Sequence, residues 1–143
     1  MPILYTSMKT YESKIVSIKR LDEDVFKVLS NFKNFSPFVQ AAQIENWEAD
    51  DDWCKFSVKG MGNAGLRIIE REPSKTIKIT GDGGIPFEFF FWIQLKQVAP
   101  YDTRMKLTLK ADLNMMMKMM VGSKLQEGID TMAEQIAKAF NGQ

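Results

Sequence analysis

The chain has no histidine. That excludes Ser-His-Asp and Cys-His nucleophilic machinery and the common zinc sites that use imidazole. Its single cysteine, Cys54, rules out an internal disulfide and fits a reducing, cytoplasmic setting. Net charge is also scarce: 19 Lys+Arg against 18 Asp+Glu leave +1. So small a charge gives no general attraction to nucleic acid or anionic lipid. No apolar run approaches the roughly 18 to 20 residues needed to span a bilayer. Met1–Met8 lacks the basic segment and apolar core of a signal peptide. Neither a nucleic-acid partner nor integral membrane association is expected. At 143 residues, one domain covering 1–143 is expected.

What the chain does have is periodicity. Val121, Leu125, Ile129, Met132, Ile136 and Phe140 recur at steps of three and four, which predicts one apolar stripe on a long C-terminal helix. Lys124, Glu127, Asp130 and Glu134 lie off the stripe, with Glu134 and Lys138 as an i,i+4 pair. Gly122-Ser123, with Gln126 completing a capping-box pattern, predicts a break near the start of this helix. Upstream the period changes to two. Lys9–Lys19 reads as a first strand with Val16 and Ile18 on one face and Ile15 displaced to the other. Asp22 is the expected N-cap of a short helix carrying Val25, Phe26, Leu29 and Phe32. A second short helix surrounds Ser36-Pro37, and the two form an apolar lid.

Five further strands follow at Ile44–Ala49, Trp53–Lys59, Leu66–Glu72, Lys75–Thr80 and Phe87–Val98. The last strand alternates Met105, Leu107, Leu109, Ala111 and Leu113 with polar residues. Short connections predict an antiparallel meander. The turns at Asp50, Pro73 and Pro100 then share one end of the sheet. The glycine-rich loops Gly60–Gly65 and Gly81–Pro86, the lid and the start of the final helix share the other, looser end. The expected fold is α+β: a curved antiparallel sheet of six or seven strands wrapped around the C-terminal helix. An apolar interior with a loose mouth is the geometry of a small-molecule site.

The order strand, two short helices, six strands and long helix resembles the START-like helix-grip superfamily. That group includes the birch-pollen allergen family, polyketide cyclases and aromatases, and lipid-transfer domains. Gly65-Leu66-Arg67-Ile68-Ile69-Glu70-Arg71-Glu72-Pro73 resembles its strand-turn step, and Leu125-Gln126-Glu127-Gly128-Ile129-Asp130 its final helix. The resemblance implies a hydrophobic-ligand cavity between sheet and helix.

Candidate lining residues come from each element. The lid offers Phe35 and Phe38. The middle strands offer Phe56, Val58, Ile77 and Ile79. The aromatic strand offers Phe87, Phe89 and Phe91, and the last strand Met105, Leu107 and Leu109. Met116, Met120 and Leu125 come from the C-terminal segment. Each of these also has a plain reading as core. The Met115–Met120 cluster can pack or line a cavity with flexible side chains, dock on a membrane surface or partner, or form a Cu(I) thioether site, for which no cysteine or histidine is near. Glu70 is the one candidate catalytic residue: if Leu66 and Ile68 point inward, Glu70 follows them, and a buried carboxylate could serve as general acid or base. The alternative is that the charges of this strand are solvated. Asp50-Asp51-Asp52 lacks the pattern of a calcium loop, and Gly81-Asp82-Gly83-Gly84 lacks the lysine of a phosphate cradle. No metal and no cofactor is expected. Three functions stay open: carriage of a small apolar ligand, a cyclase- or aromatase-like enzyme, and a protein-interaction module of the chaperone-activator type.

Overall fold

The computed structural model describes residues 8–39, 44–60 and 62–142, with the side chain of Phe38 excepted. In chain order the elements are β1 (Met8–Glu12), β2 (Val16–Ile18), α1 (Asp22–Leu29), a 3-10 turn (Phe32–Phe35), α2 (Ser36–Val39), β3 (Ile44–Ala49), β4 (Trp53–Val58), β5 (Gly62–Glu72), β6 (Thr76–Gly81), β7 (Phe89–Ala99), β8 (Asp102–Asp112) and α3 (Met115–Asn141). The strands form one eight-stranded antiparallel sheet in the order β1-β8-β7-β6-β5-β4-β3, with β2 also pairing β8. This is the helix-grip arrangement. It has eight strands rather than six or seven because the predicted first strand is two.

The split has a local cause. β1 pairs with β8 from Met8↔Asp112 to Glu12↔Thr108, and β2 from Val16↔Met105 to Ile18↔Thr103. Between them Ser13 still bonds the ladder, its N–H donating to the Leu107 carbonyl and its hydroxyl accepting from the Leu107 N–H. Lys14 leaves it. Its N–H donates to Asp130 Oδ1 at 2.7 Å, and its ammonium pairs with Glu134 at 3.0 Å. That carboxylate raises the Lys14 pKa above its ordinary value. Glu134 therefore bonds across to the strand rather than along the helix to Lys138. Gln126 adds a bond to the Glu12 carbonyl, and Asn141 bonds Ser17 and Lys19. α3 is thus stitched along its length to the β1–β2 edge of the sheet. Ile15, as expected, is left outside, 64% exposed.

α3 itself runs unbroken through Gly122-Ser123. Its N-cap is Asn114, whose side chain accepts from the Met117 N–H at 2.9 Å, so the Ser123–Gln126 capping box does not form. Gly142, in the left-handed conformation, ends it. The buried stripe is also shifted. Ile129, Ala133, Ile136 and Ala137 are buried, while Met132 is 46% exposed. Small residues at the tightest contacts bring the helix close to the sheet.

The lid sits at the other end of the sheet from the one expected. α1 begins at Asp22 with Leu21, not Asp22, at the N-cap position, and the Asp22 N–H donates to Gln97 Oε1. The Phe32 N–H donates to the Asp51 carbonyl. Arg71 completes the attachment: its guanidinium donates to the Ser30 carbonyl at 2.7 and 3.0 Å and pairs with Asp52 at 2.7 Å. α1 and the 3-10 turn therefore close the tight-turn end and bury Val25, Leu29 and Phe32 completely. Only α2 continues from them toward α3.

Three register slips shape the sheet, one of them between Gln97 and Ala99 in β7. In β5 the register slips between Ile68↔Ile79 and Glu70↔Lys78, leaving Ile69 as the extra residue. In β3 it slips between Glu45 and Glu48, around Asn46 at φ 55. β5 also starts earlier than predicted: Asn63, Ala64 and Gly65 pair with Ser57, Phe56 and Lys55 instead of forming a loop. Met61 in that predicted loop lies outside the described residues. Among the described residues the long connection at this end is 82–88.

Candidate functional site

The inner face of the sheet divides in two along α3. Beneath the C-terminal half, Ile77, Ile93, Met105 and Leu107 meet Ile129, Ala133, Ile136 and Ala137, every one 8% exposed or less. Beneath the N-terminal half the packing loosens. Phe91 on β7 and Leu109 on β8 are directly paired, with Phe89 and Ala111 next along the ladder. Phe91 and Leu109 are nonetheless only partly buried. Facing them are Met117, Val121 and Leu125 from α3 and Ile85 and Phe87 from the 82–88 connection, all partly buried. Because α3 is held along β1, β2 and β8, this half opens toward the β4–β5 side, where Phe56 and Leu66 are also partly buried.

The 82–88 connection forms the rim. The Asp82 N–H donates to the Gly65 carbonyl, and the Gly65 N–H to the Gly83 carbonyl. Gly84, at φ 82, lies directly on the backbone of Asn63 and Ala64, so no side chain fits there. A depression lies on each side of this rim. One, of about 480 Å³, is lined by Ile85, Phe87, Phe89, Thr80 and Gly81. The other, of about 500 Å³, is lined by Phe56, Ala64 and the polar side chains Asn46, Lys55, Ser57, Asn63 and Asp82.

The residues expected to line a cavity separate accordingly. Phe35, Phe56, Phe87, Phe91, Leu109 and Leu125 are partly buried, with Phe87 edge-on to Phe89 at 6.0 Å and Phe35 edge-on to Phe32 at 5.1 Å. Phe89 is 8% exposed at the border of the loose half. Ile77, Ile79, Met105 and Leu107 form the sealed core. Val58 is partly buried beside Ile44 and Gly62 near the end of β4. Met116 and Met120 face solvent, 70% and 66% exposed, and Met117 is the methionine that turns inward. Phe38 lies outside the described side chains.

Glu70 is a correction. The bulge at Ile69 reverses the pleat, so Glu70 pairs with Lys78 on the outer face and is exposed, and Arg71 takes the inner position opposite Ile77. Cys54 is 1% exposed, and burial pushes its thiol up to about 12, which makes it a packing group rather than a nucleophile. Among the described residues no three Cys, Asp or Glu side chains converge as they would around a metal ion.

Tyr11 was not singled out from the sequence. Val16 and Ile18 set an inward phase on even numbers, but the excursion at Lys14–Ile15 shifts it, and Tyr11 and Ser13 point inward upstream. No periodicity marks that slip.

A helix-grip domain of this kind has known counterparts. The sequence model of CoxG, a family of carbon monoxide dehydrogenase subunits, matches residues 15–143. The chain belongs to the CoxG family. No curated protein sequence matches it. Among solved structures, norcoclaurine synthase from Thalictrum flavum is similar at TM-score 0.74 and 15% identity, covering 92% of each chain. A START superfamily protein from Mycobacterium smegmatis gives 0.63 and 16% identity over 94% of each chain. A conserved protein from Geobacillus kaustophilus gives 0.68 and 16% identity, covering 94% of this chain and 96% of that one. At these identities the structural likeness establishes the shared helix-grip fold. In this CoxG-family chain, no described helix is long and apolar enough to cross a membrane.

Proposed function

We propose that this CoxG-family chain binds and carries a small hydrophobic molecule in the half-open groove between the sheet and the first half of α3. The observation that supports it most is the partial exposure of Phe91 and Leu109 on the inner face, although the neighbouring inward residues Phe89, Ile93, Leu107 and Ala111 on the same strands are buried. Apolar surface left wet at the centre of a sheet is a standing cost of about 25 cal/mol per Å², which an apolar ligand removes. The side chains around it include Leu, Ile, Val, Met and Phe, the adaptable lining of a small-molecule site.

A polyketide cyclase-like or aromatase-like reaction would need an acid or base in the groove. Glu70, the candidate for that role, is on the opposite face. One observation favours a protein partner as a second reading: Met115, Met116, Met119 and Met120 are 66–82% exposed at the start of α3, next to the mouth.

The test is native mass spectrometry of freshly purified protein, with titration of the neutral fluorophore N-phenyl-1-naphthylamine. The expected result is a co-purified apolar mass or saturable one-to-one binding that Phe91→Ala weakens about tenfold, the order expected for losing a buried ring contact. The absence of both a co-purified mass and saturable binding would overturn carriage.

A further inference from the structure

Tyr11 is 5% exposed and sits in the loose half of the inner face with Phe89, Ala111 and Leu113. It is paired with Leu109, one of the two central residues of the groove. Its hydroxyl points across to α3: a methyl built on Gly122 would lie 3.4 Å from it. Among the described residues every fully buried side-chain nitrogen or oxygen has a hydrogen-bond partner. Tyr11 Oη has none among them, so the sliver of this residue that remains accessible must include that oxygen. A hydroxyl enclosed on nearly all sides, with one narrow accessible face and no protein partner, is placed to bond whatever occupies that face. Phenylalanine there would bury the same ring without it.

We propose that the Tyr11 hydroxyl is the polar anchor of the groove, donating a hydrogen bond to a carbonyl-type oxygen at the leading end of an otherwise apolar, uncharged ligand. This rests on the carrier reading and specifies its ligand class. The surroundings set the class. The partly buried apolar residues packed around Tyr11, Phe89, Ala111 and Leu113 are Leu66, Ile85, Phe87, Phe91, Leu109 and the α3 side chains Met117, Val121 and Leu125. A charged ligand end would be desolvated among these apolar side chains, and a wholly hydrocarbon end would displace water from the hydroxyl without replacing its hydrogen bond. A neutral acceptor oxygen avoids both costs. Gly122 supports the assignment. In a helix interior glycine is poorer than alanine, and here its missing methyl leaves the hydroxyl uncovered.

The experiment compares 2-acetylnaphthalene with 2-ethylnaphthalene, which differ by a carbonyl oxygen in place of two hydrogens. Their affinities are measured by displacement of the fluorophore. The wild-type protein is expected to prefer the ketone by about threefold to tenfold, the range of one net hydrogen bond. In Tyr11→Phe that ratio is expected to collapse to about one. Gly122→Ala is a second route: its methyl covers the hydroxyl and should cut the ratio in a helix no less stable. A ratio that persists in both variants overturns the anchor. If the wild-type protein binds both compounds equally, the anchor alone is lost. If it binds neither, the carrier reading fails and the anchor with it.

Discussion

The two halves of the α3–sheet contact are made from similar residues and behave differently. The C-terminal half uses Ala133 and Ala137 to bring the helix down on Met105 and Leu107, and all four are 8% exposed or less. The N-terminal half uses Met117, Val121 and Leu125, and below them Phe91 and Leu109 stay partly exposed although Phe89 and Ala111 beside them are buried. Small side chains let helix and sheet meet; long ones hold them apart and can move aside. The lid reinforces the difference, because α1 and the 3-10 turn close the half that is already sealed. Tight packing and partial exposure are therefore placed at opposite ends of one helix.

The largest effect should come from testing the two halves directly. Leu107→Ala is expected to cost about 3 kcal/mol in urea unfolding, the usual loss for a fully buried leucine. Leu109→Ala, two residues away and partly wet, should cost about 1 kcal/mol but weaken binding of the fluorophore more. Equal costs would erase the distinction between the halves. Next, Arg71→Ala removes the donors that hold the Ser30 carbonyl to the sheet and should cost about 2 kcal/mol, read from the same curves. Affinity for the fluorophore should hold, because the attachment lies at the sealed end.

A smaller effect follows from Cys54. Its thiol is pushed from an ordinary 9.0 up to about 12 by burial, with a backbone hydrogen bond to Leu66 acting the other way. The unfolded chain therefore releases this proton at lower pH than the folded one. The stabilising contribution is complete below pH 9.0 and is lost as pH rises toward about 12. Cys54→Ala should flatten that part of the stability–pH profile; an unchanged slope would show that the thiol does not titrate in this way. The smallest effect is expected for Met116→Gln with Met120→Gln. Both side chains are largely exposed, so the unfolding midpoint should shift by no more than about 0.5 kcal/mol. Slower association of the fluorophore, read by stopped flow, would tie them to the mouth.

Much of this arrangement was legible in the residues. The alternation of Met105, Leu107, Leu109 and Ala111 gave β8 its inner face, and the four-and-three spacing from Val121 to Phe140 gave α3. The lid helices were legible from Asp22–Asp24 and Ser36-Pro37, but not the end they close, because the excursion at Lys14 and the long reach of Arg71 are tertiary. The helix break was wrong for a related reason: glycine weakens a helix locally, and bonds from Gln126, Asp130 and Glu134 to the β1–β2 edge hold it together. The Glu70 assignment failed on a single extra residue. Strict alternation places Glu70 inside with Leu66 and Ile68, and the adjacent pair Ile68-Ile69 gives no sign of which isoleucine the ladder will skip. Tyr11 was missed by the same kind of phase slip.

The kink in β3 has a consequence of its own. β3 is the outermost strand on its side among the described residues, and an open border of unpaired amides can recruit a strand from another molecule. Asn46 at φ 55 interrupts the regular spacing of those amides, and Glu45 and Glu48 place carboxylates on either side of it. Added strands would meet a broken template and like charge. The chain can thus remain dispersed, because its exposed border resists fibre growth.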